Sequence, residues 1–119
     1  MHKAGARIVI NDLLNLPARL NTLKWEPFRD GIKIHRLYGN QTEGSSAALL
    51  WYEPGATLPR HKHVGYEHLI ILDQVQKDDF GDHHAGTLIV NPPGSEHAVT
   101  NPLGAVVLAI WEKPVSFDL

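Results

Sequence analysis

Apolar and polar residues alternate in short runs along this chain, and Gly or Pro closes nearly every run. A period of two in segments of this length predicts β-strands, and closely spaced turn signals predict an all-β sandwich or barrel. Strands are expected near Arg7–Asn11, Lys24–Phe28, Ile32–Tyr38, Ser46–Glu53, Thr57–His63, Tyr66–Gln76, Gly86–Asn91, Glu96–Thr100 and Ala105–Glu112. Only Asp12–Leu20, "DLLNLPARL", has the spacing of a helical turn, and Pro17 keeps it short.

Two runs abandon the alternation. In "SAALLWYE" and "GAVVLAIWE" consecutive residues are apolar, so side chains on both faces of these strands need cover. One face can line a barrel interior. The other requires a second layer or a second subunit, because large apolar patches are rarely left open on monomers. A homodimer is the expectation that follows.

The length, 119 residues, fits one domain spanning 1–119, and no low-complexity linker divides it. The net charge is −2 and the basic residues form no patch or stripe, which argues against a nucleic-acid partner. The chain has no cysteine, so disulfide frameworks, thiolate zinc sites and cysteine nucleophiles are excluded. The first residues lack the apolar run of a signal peptide, and no stretch reaches the roughly 20 apolar residues of a membrane span. A soluble cytoplasmic domain is expected.

Chemistry concentrates in "GATLPRHKHVGYEHLIILDQ", Gly55–Gln74. His61 and His63 are two apart, so on an extended segment both imidazoles project to one face. Val64-Gly65 offers a bend, after which Glu67 shares its parity with Leu69 and Ile71. If the two strands pair around Gly65, the carboxylate faces the imidazoles, and His68, of opposite parity, points away. Further on, "NPPGSEH" makes a tight turn and sets His97 at the head of the next strand. Imidazole with carboxylate suits Zn, Fe, Mn, Co, Ni or Cu. A surface histidine pair is the plainer reading of His-x-His alone. His83-His84 reads as a solvated hairpin turn, and His2 and His35 as structural or surface residues. Leu69, Ile71 and Val99 share inward parity and predict an apolar cavity wall, while Trp51, Tyr52 and Trp111 suit either the mouth or a subunit seam.

Two longer patterns resemble the cupin superfamily. Gly55, His61, His63 and Glu67 fit the pattern G-x5-H-x-H-x3,4-E-x6-G, and Gly86, Pro92, Gly94, His97 and Asn101 fit G-x5-P-x-G-x2-H-x3-N at every specified position. The resemblance implies a small antiparallel β-barrel of jelly-roll type. It also implies one divalent metal ion per chain, zinc or iron foremost, held by His61, His63, Glu67 and His97. Gln74 stands where the first pattern ends in glycine, so the turn is expected elsewhere, at Asp73 or in "QKDDFGD" with Gly81 as the left-handed residue.

From about Trp25 to Trp111, the proposed metal-binding core, "LKWEPFRDGIKIHRLYG", "SSAALLWYEPGATLPRHKHVGYEHLIIL" and "NPPGSEHAV" resemble the ChrR-like cupin family. There the cupin is the C-terminal half of a zinc-binding anti-sigma factor, or a free-standing small protein. The anti-sigma module carries its own zinc ligands, including Cys, and no such segment is expected here. The wider neighbourhood includes dioxygenases that cleave carbon–carbon bonds of diketones or hydroxyacetophenones. They typically hold Fe(II) by three His alone, and Glu67 leans away from them without excluding them. The resemblance thus implies a metal-dependent, dioxygenase-like enzyme acting on a small organic carbonyl compound. The alternative it implies is a non-catalytic module that senses a metal or ligand.

Overall fold

The twelve-residue strand β5, Glu67–Asp78, organises the molecule because it belongs to both halves of a curled sheet. The computed structural model describes residues 5–118, so His2 lies outside the described residues. The other strands are β1 (Glu26–Arg29), β2 (Ile32–Tyr38), β3 (Ser46–Tyr52), β4 (Ala56–Lys62), β6 (Gly81–His84), β7 (Leu88–Asn91), β8 (Glu96–Asn101) and β9 (Ala105–Trp111). They are joined in the order β1-β2-β3-β9-β5-β8-β4, with β6 and β7 also on β5. Every pairing between these strands is antiparallel. The result is the all-β, jelly-roll-like architecture expected from the sequence.

The first half of β5 lies between β9 and β7, and its second half turns to β6 and β8. The change of partners comes at a register shift between Ile71 and Asp73, followed by Gln74 at φ 61°. A non-glycine residue in the left-handed region is uncommon. The bend therefore remains where the sequence pattern puts its glycine, and Gln74 itself adopts the conformation. The β5–β6 hairpin is a separate turn at Asp79-Phe80, where the Asp78 carboxylate accepts the Phe80 N–H, with Gly81 at φ 125°. His83 and His84 are consequently strand residues, paired with Gln76 and Val75, and not the hairpin turn expected for them.

The interior is built by alternate residues: Ile32 and Ile34, Leu50 and Tyr52, Leu69 and Ile71, Val107, Ala109 and Trp111. The opposite faces of the two wholly apolar strands carry Leu49 and Val106, which join Leu72 and the fully buried Leu16 in a second cluster. Leu16 comes from a 3-10 helix, Leu13–Thr22, that extends the single expected helical turn. The second layer is thus supplied in part by the chain itself, while Leu49 and Leu108 of the same face also line an open groove. Trp51 packs in the same cluster and not at the barrel mouth.

Arg7–Asn11, expected as a strand, pairs with nothing among the described residues. Ile8 and Val9 are 56% and 63% exposed. Ile8 and Ile10 instead lie along a groove beside Leu49 and Leu108, so strand propensity alone does not bring the segment into the sheet. Among the described residues no helix is long and apolar enough to cross a membrane.

Candidate metal centre

Pro59 begins the site. It lacks an N–H and interrupts the β4–β8 ladder, whose register shifts between Leu58 and His61. Past the irregularity His61 stands directly opposite His97. His63 follows on the same face, two residues beyond His61. After His63 the chain crosses to β5, and β4 pairs with β8 alone, so no hairpin forms around Gly65. A Cβ at Gly65 would lie 2.8 Å from Glu112 Oε1 and 3.1 Å from the Lys113 nitrogen, so a side chain here would displace the Glu112 carboxylate and crowd the backbone after it. Glu67 then opens β5 and reaches the imidazoles across the barrel.

The four predicted ligand residues come together. One ligand atom from each of His61, His63, Glu67 and His97 lies within 4.8 Å of all the others, and all four residues are buried. His61 Nε2 is 3.0 Å from His97 Nε2, His63 Nε2 is 2.9 Å from Glu67 Oε1, and His97 Nε2 is 3.7 Å from the same oxygen.

The outward nitrogens decide what faces inward. His61 Nδ1 lies 2.9 Å from the Pro59 carbonyl, which can only accept, so this nitrogen carries the proton. His97 Nδ1 lies 3.0 Å from Asp78 Oδ2, again an acceptor. Ser95 donates its hydroxyl hydrogen to the Pro92 carbonyl at 2.6 Å, so its oxygen accepts from His63 Nδ1 at 2.9 Å. In neutral imidazoles every Nε2 then presents a lone pair to the common centre. Two such lone pairs 3.0 Å apart, and a third 2.9 Å from a carboxylate oxygen, repel unless a proton or a metal ion lies between them; a proton serves one pair at a time, whereas one metal ion serves all four groups. His63 Nε2 is buried and makes no well-formed hydrogen bond despite its nearness to Glu67. Neighbouring ligands about 2.0–2.1 Å from one ion stand roughly 2.8–3.4 Å apart in octahedral to tetrahedral geometry; the 3.0 and 2.9 Å spacings fall in that range, and the 3.7 Å spacing is somewhat wider. The residues fit a divalent metal ion.

Glu67 is fixed from both sides by its partners in register. Asn91, opposite it on β7, donates to Oε1 at 2.9 Å, and Trp111, opposite it on β9, donates its indole N–H to Oε2 at 2.7 Å. Burial alone would raise the carboxyl, but His63, His97 and the Asn91 amide hold it below its ordinary value. Burial pushes the His61 imidazole down despite the Pro59 carbonyl. Asp78 stays below the usual carboxylate range: burial opposes this, and bonds from His83, His97 and the Phe80 N–H outweigh it.

The sequence named the candidate ligands and not the groups that orient them. Asp78 bridges His97 to His83, whose Nε2 lies 2.9 Å from Oδ1. His83 is therefore part of the support of the site and not a solvated turn residue. Asn91 and Trp111 are recognisable only once the strand partners of Glu67 are known. His35 binds the Lys24 carbonyl beside Trp25, and His68 is half-buried beside Tyr66; both stand apart from the ligands.

His61, Glu67 and His97 form one wall of a cavity of about 30 Å³. Leu69 and Val99 line it as expected, whereas Ile71 is packed in the core. Trp111 and Tyr52 also face it, and burial raises the Tyr52 phenol. Beyond the expected metal-binding core, Val115 and Phe117 close the cavity. Ser116 bonds Lys62 in both directions, and the Phe117 ring lies 5.4 Å from that of His61.

Comparison with known proteins agrees with this architecture. The family model described as the ChrR Cupin-like domain matches residues 16–115. No curated protein matches the chain. Among solved structures, the anti-sigma factor ChrR of Rhodobacter sphaeroides, in complex with SigE, superposes with a TM-score of 0.70 at 24% identity, over 81% of this chain and 53% of that one. A putative acetylacetone dioxygenase from Methylibium petroleiphilum gives a TM-score of 0.77 at 17% identity, over 100% and 86% of the two chains. An acetylacetone dioxygenase from Acinetobacter johnsonii gives 0.75 at 17% identity, over 97% and 78%. The chain spans about half of the ChrR structure's length. At these identities the likeness is one of fold.

Proposed function

Because the chain belongs to the ChrR Cupin-like domain family, we propose that it binds one divalent metal ion through His61, His63, Glu67 and His97, zinc or iron foremost, and uses it on a small organic carbonyl compound. The observation that carries this reading is the set of inward nitrogens, fixed by Pro59, Ser95 and Asp78 and joined by Glu67, that a single metal ion reconciles at once. When bound, the ion supplies Lewis acidity and, if it is iron, a redox centre for dioxygen.

The chain's own residues do the rest. Asn91 and Trp111 clamp both carboxylate oxygens, so Glu67 is a fixed ligand and not a mobile base. The Tyr52 phenol, kept protonated by burial, offers a hydrogen-bond donor on the cavity wall. Leu69, Val99 and Phe117 exclude water and favour an uncharged or weakly polar molecule. The reaction class drawn from the fold is dioxygenase-like cleavage.

Elemental analysis of protein purified anaerobically tests the metal, and His61→Ala or His97→Ala should abolish stoichiometric binding while the barrel stays folded. A full equivalent of metal in the double variant would refute the ligand set. Incubation of the iron-loaded protein with a β-diketone panel, followed by O2 uptake, tests turnover; no uptake with any substrate counts against an enzyme.

A second reading, a ligand-sensing module without turnover, is supported by the family's eponymous domain. Zinc as the resident metal, with small-molecule binding but no oxygen uptake, would favour it. The expected cytoplasmic homodimer belongs with either reading. An open apolar groove of about 480 Å³ beside Ile8, Tyr38 and Leu108 is a face it would use, and light scattering at the monomer mass would dismiss it.

A further inference from the structure

Gln41 lies in the loop between β2 and β3, outside every pattern that pointed to the site. It has φ 64°, a left-handed conformation costly for a residue with a side chain. Its amide nitrogen is buried, and no group among the described residues accepts a hydrogen bond from it. The loop is braced by a neighbour instead: Asn40 Oδ1 accepts the Thr42 N–H at 3.1 Å and the Thr42 hydroxyl at 2.6 Å. Gln41 thus contributes no bracing bond of its own, and its side chain lines the same cavity as His61, Glu67 and His97.

Two unfavourable features therefore meet in one residue at the wall of the candidate site. A buried amide without a partner is a cost to the folded state, and strain of this kind persists where the surrounding structure enforces it. The other polar amide of the cavity, Gln76, already donates to Asn101 at 3.1 Å. Around Gln41 the lining is apolar, with Phe28, Leu58, Val115 and Phe117.

We infer that Gln41 is the specificity-determining donor of the site: its amide N–H binds an oxygen acceptor on the small molecule that enters the cavity. This rests on the preceding reading that a carbonyl compound occupies the cavity, and it adds a demand on that compound. The occupant carries an acceptor oxygen placed for Gln41 in addition to the atom it offers at the metal ligands. The cavity, about 30 Å³, limits it to a few heavy atoms unless the Val115–Phe117 segment yields.

Gln41→Met keeps length and backbone strain but deletes the donor. Gln41→Asn suits the left-handed backbone and withdraws the amide by one methylene. Both variants and the wild type would be melted without metal, then loaded with cobalt(II) and titrated with acetate, pyruvate and pentane-2,4-dione while the visible spectrum is followed. The expected result is a melting temperature about 2–5 °C higher in Gln41→Met, with unchanged cobalt stoichiometry and about five- to tenfold weaker binding of whichever probe the wild type takes. Gln41→Asn should show the same weakening with a melting temperature no lower than wild type.

A lower melting temperature in Gln41→Met makes Gln41 a structural residue and overturns the inference. So does unchanged probe affinity in both variants, or loss of cobalt from them. If the wild type takes up no cobalt, or takes it up and responds to no probe, the proposed function fails; Gln41 is then judged by melting, where a rise supports an orphan donor and a fall refutes it.

Discussion

Asp78→Asn tests whether the site is set by the groups behind the ligands. The Asp78 side chain is 2% exposed and accepts three hydrogen bonds: His83 Nε2 at 2.9 Å and the Phe80 N–H at 2.9 Å on Oδ1, and His97 Nδ1 at 3.0 Å on Oδ2. An asparagine has one acceptor oxygen. Turned to satisfy the two donors at Oδ1, it aims its NH2 at the His97 Nδ1–H, and two donors then face each other. His97 relieves this by moving its proton to Nε2, the position that must present a lone pair to a metal. Loss of such a supporting carboxylate typically weakens metal binding about 10- to 100-fold, or about 1.4–2.7 kcal/mol. Zinc titration in competition with a chromophoric chelator measures this, with circular dichroism to verify the fold. His83→Ala should weaken binding less, because Asp78 keeps its bond to His97, and His68→Ala should be silent. Zinc affinity within about twofold of wild type in folded Asp78→Asn would refute the reasoning.

Three further outcomes follow from the same geometry. Trp111→Phe keeps a ring but leaves Glu67 Oε2 without its 2.7 Å indole donor; stability should fall by about 1.5–3 kcal/mol, read as a lower urea midpoint at unchanged slope, and an unmoved midpoint would show the bond to be dispensable. Gln74→Gly relieves the left-handed φ of 61° at an exposed side chain. The relief of about 1–2 kcal/mol exceeds the entropy glycine adds to the unfolded chain, so melting temperature should rise by a few degrees; a fall would place an unseen role on Gln74. For the metal-free protein, burial holds His61 below its ordinary 6.5, so its neutral form contributes stability that is complete above that pH and lost as pH falls through 6.5 toward the depressed value. Asp78, held below 3.8, adds a second loss in stronger acid. Urea midpoints that stay flat or rise on acidification would contradict both signs.

How much of this was legible in the sequence depends on the range of the interaction. His61 and His63 were readable because two residues on one strand share a face by local geometry alone. The inward residues Leu69 and Ile71 of β5 and Val99 of β8 followed from the same periodicity. The unbroken apolar runs of β3 and β9 correctly announced two buried faces, but composition cannot say who supplies the cover; here it is in part Leu16 and its helix, folded back from the same chain. Arg7–Asn11 had strand propensity but joins neither edge strand, β1 or β4, a tertiary fact absent from its own five residues.

The groups that orient the ligands escaped for a sharper reason. Glu67 meets Asn91 and Trp111 because it sits opposite both, on two different neighbours of β5. That register is set 24 and 44 residues away in sequence. His83 reaches His97 only because the hairpin turns at Asp79-Phe80, which draws His83 back along β6 to Asp78. A turn two residues later would have left His83 in solvent, as the local sequence suggested. The ligands are thus written in local spacing, whereas their protonation is written in long-range pairing. A chain that kept His61, His63, Glu67 and His97 but lost Pro59, Ser95 or Asp78 would still match the sequence pattern, yet nothing would compel its imidazoles to turn their lone pairs inward.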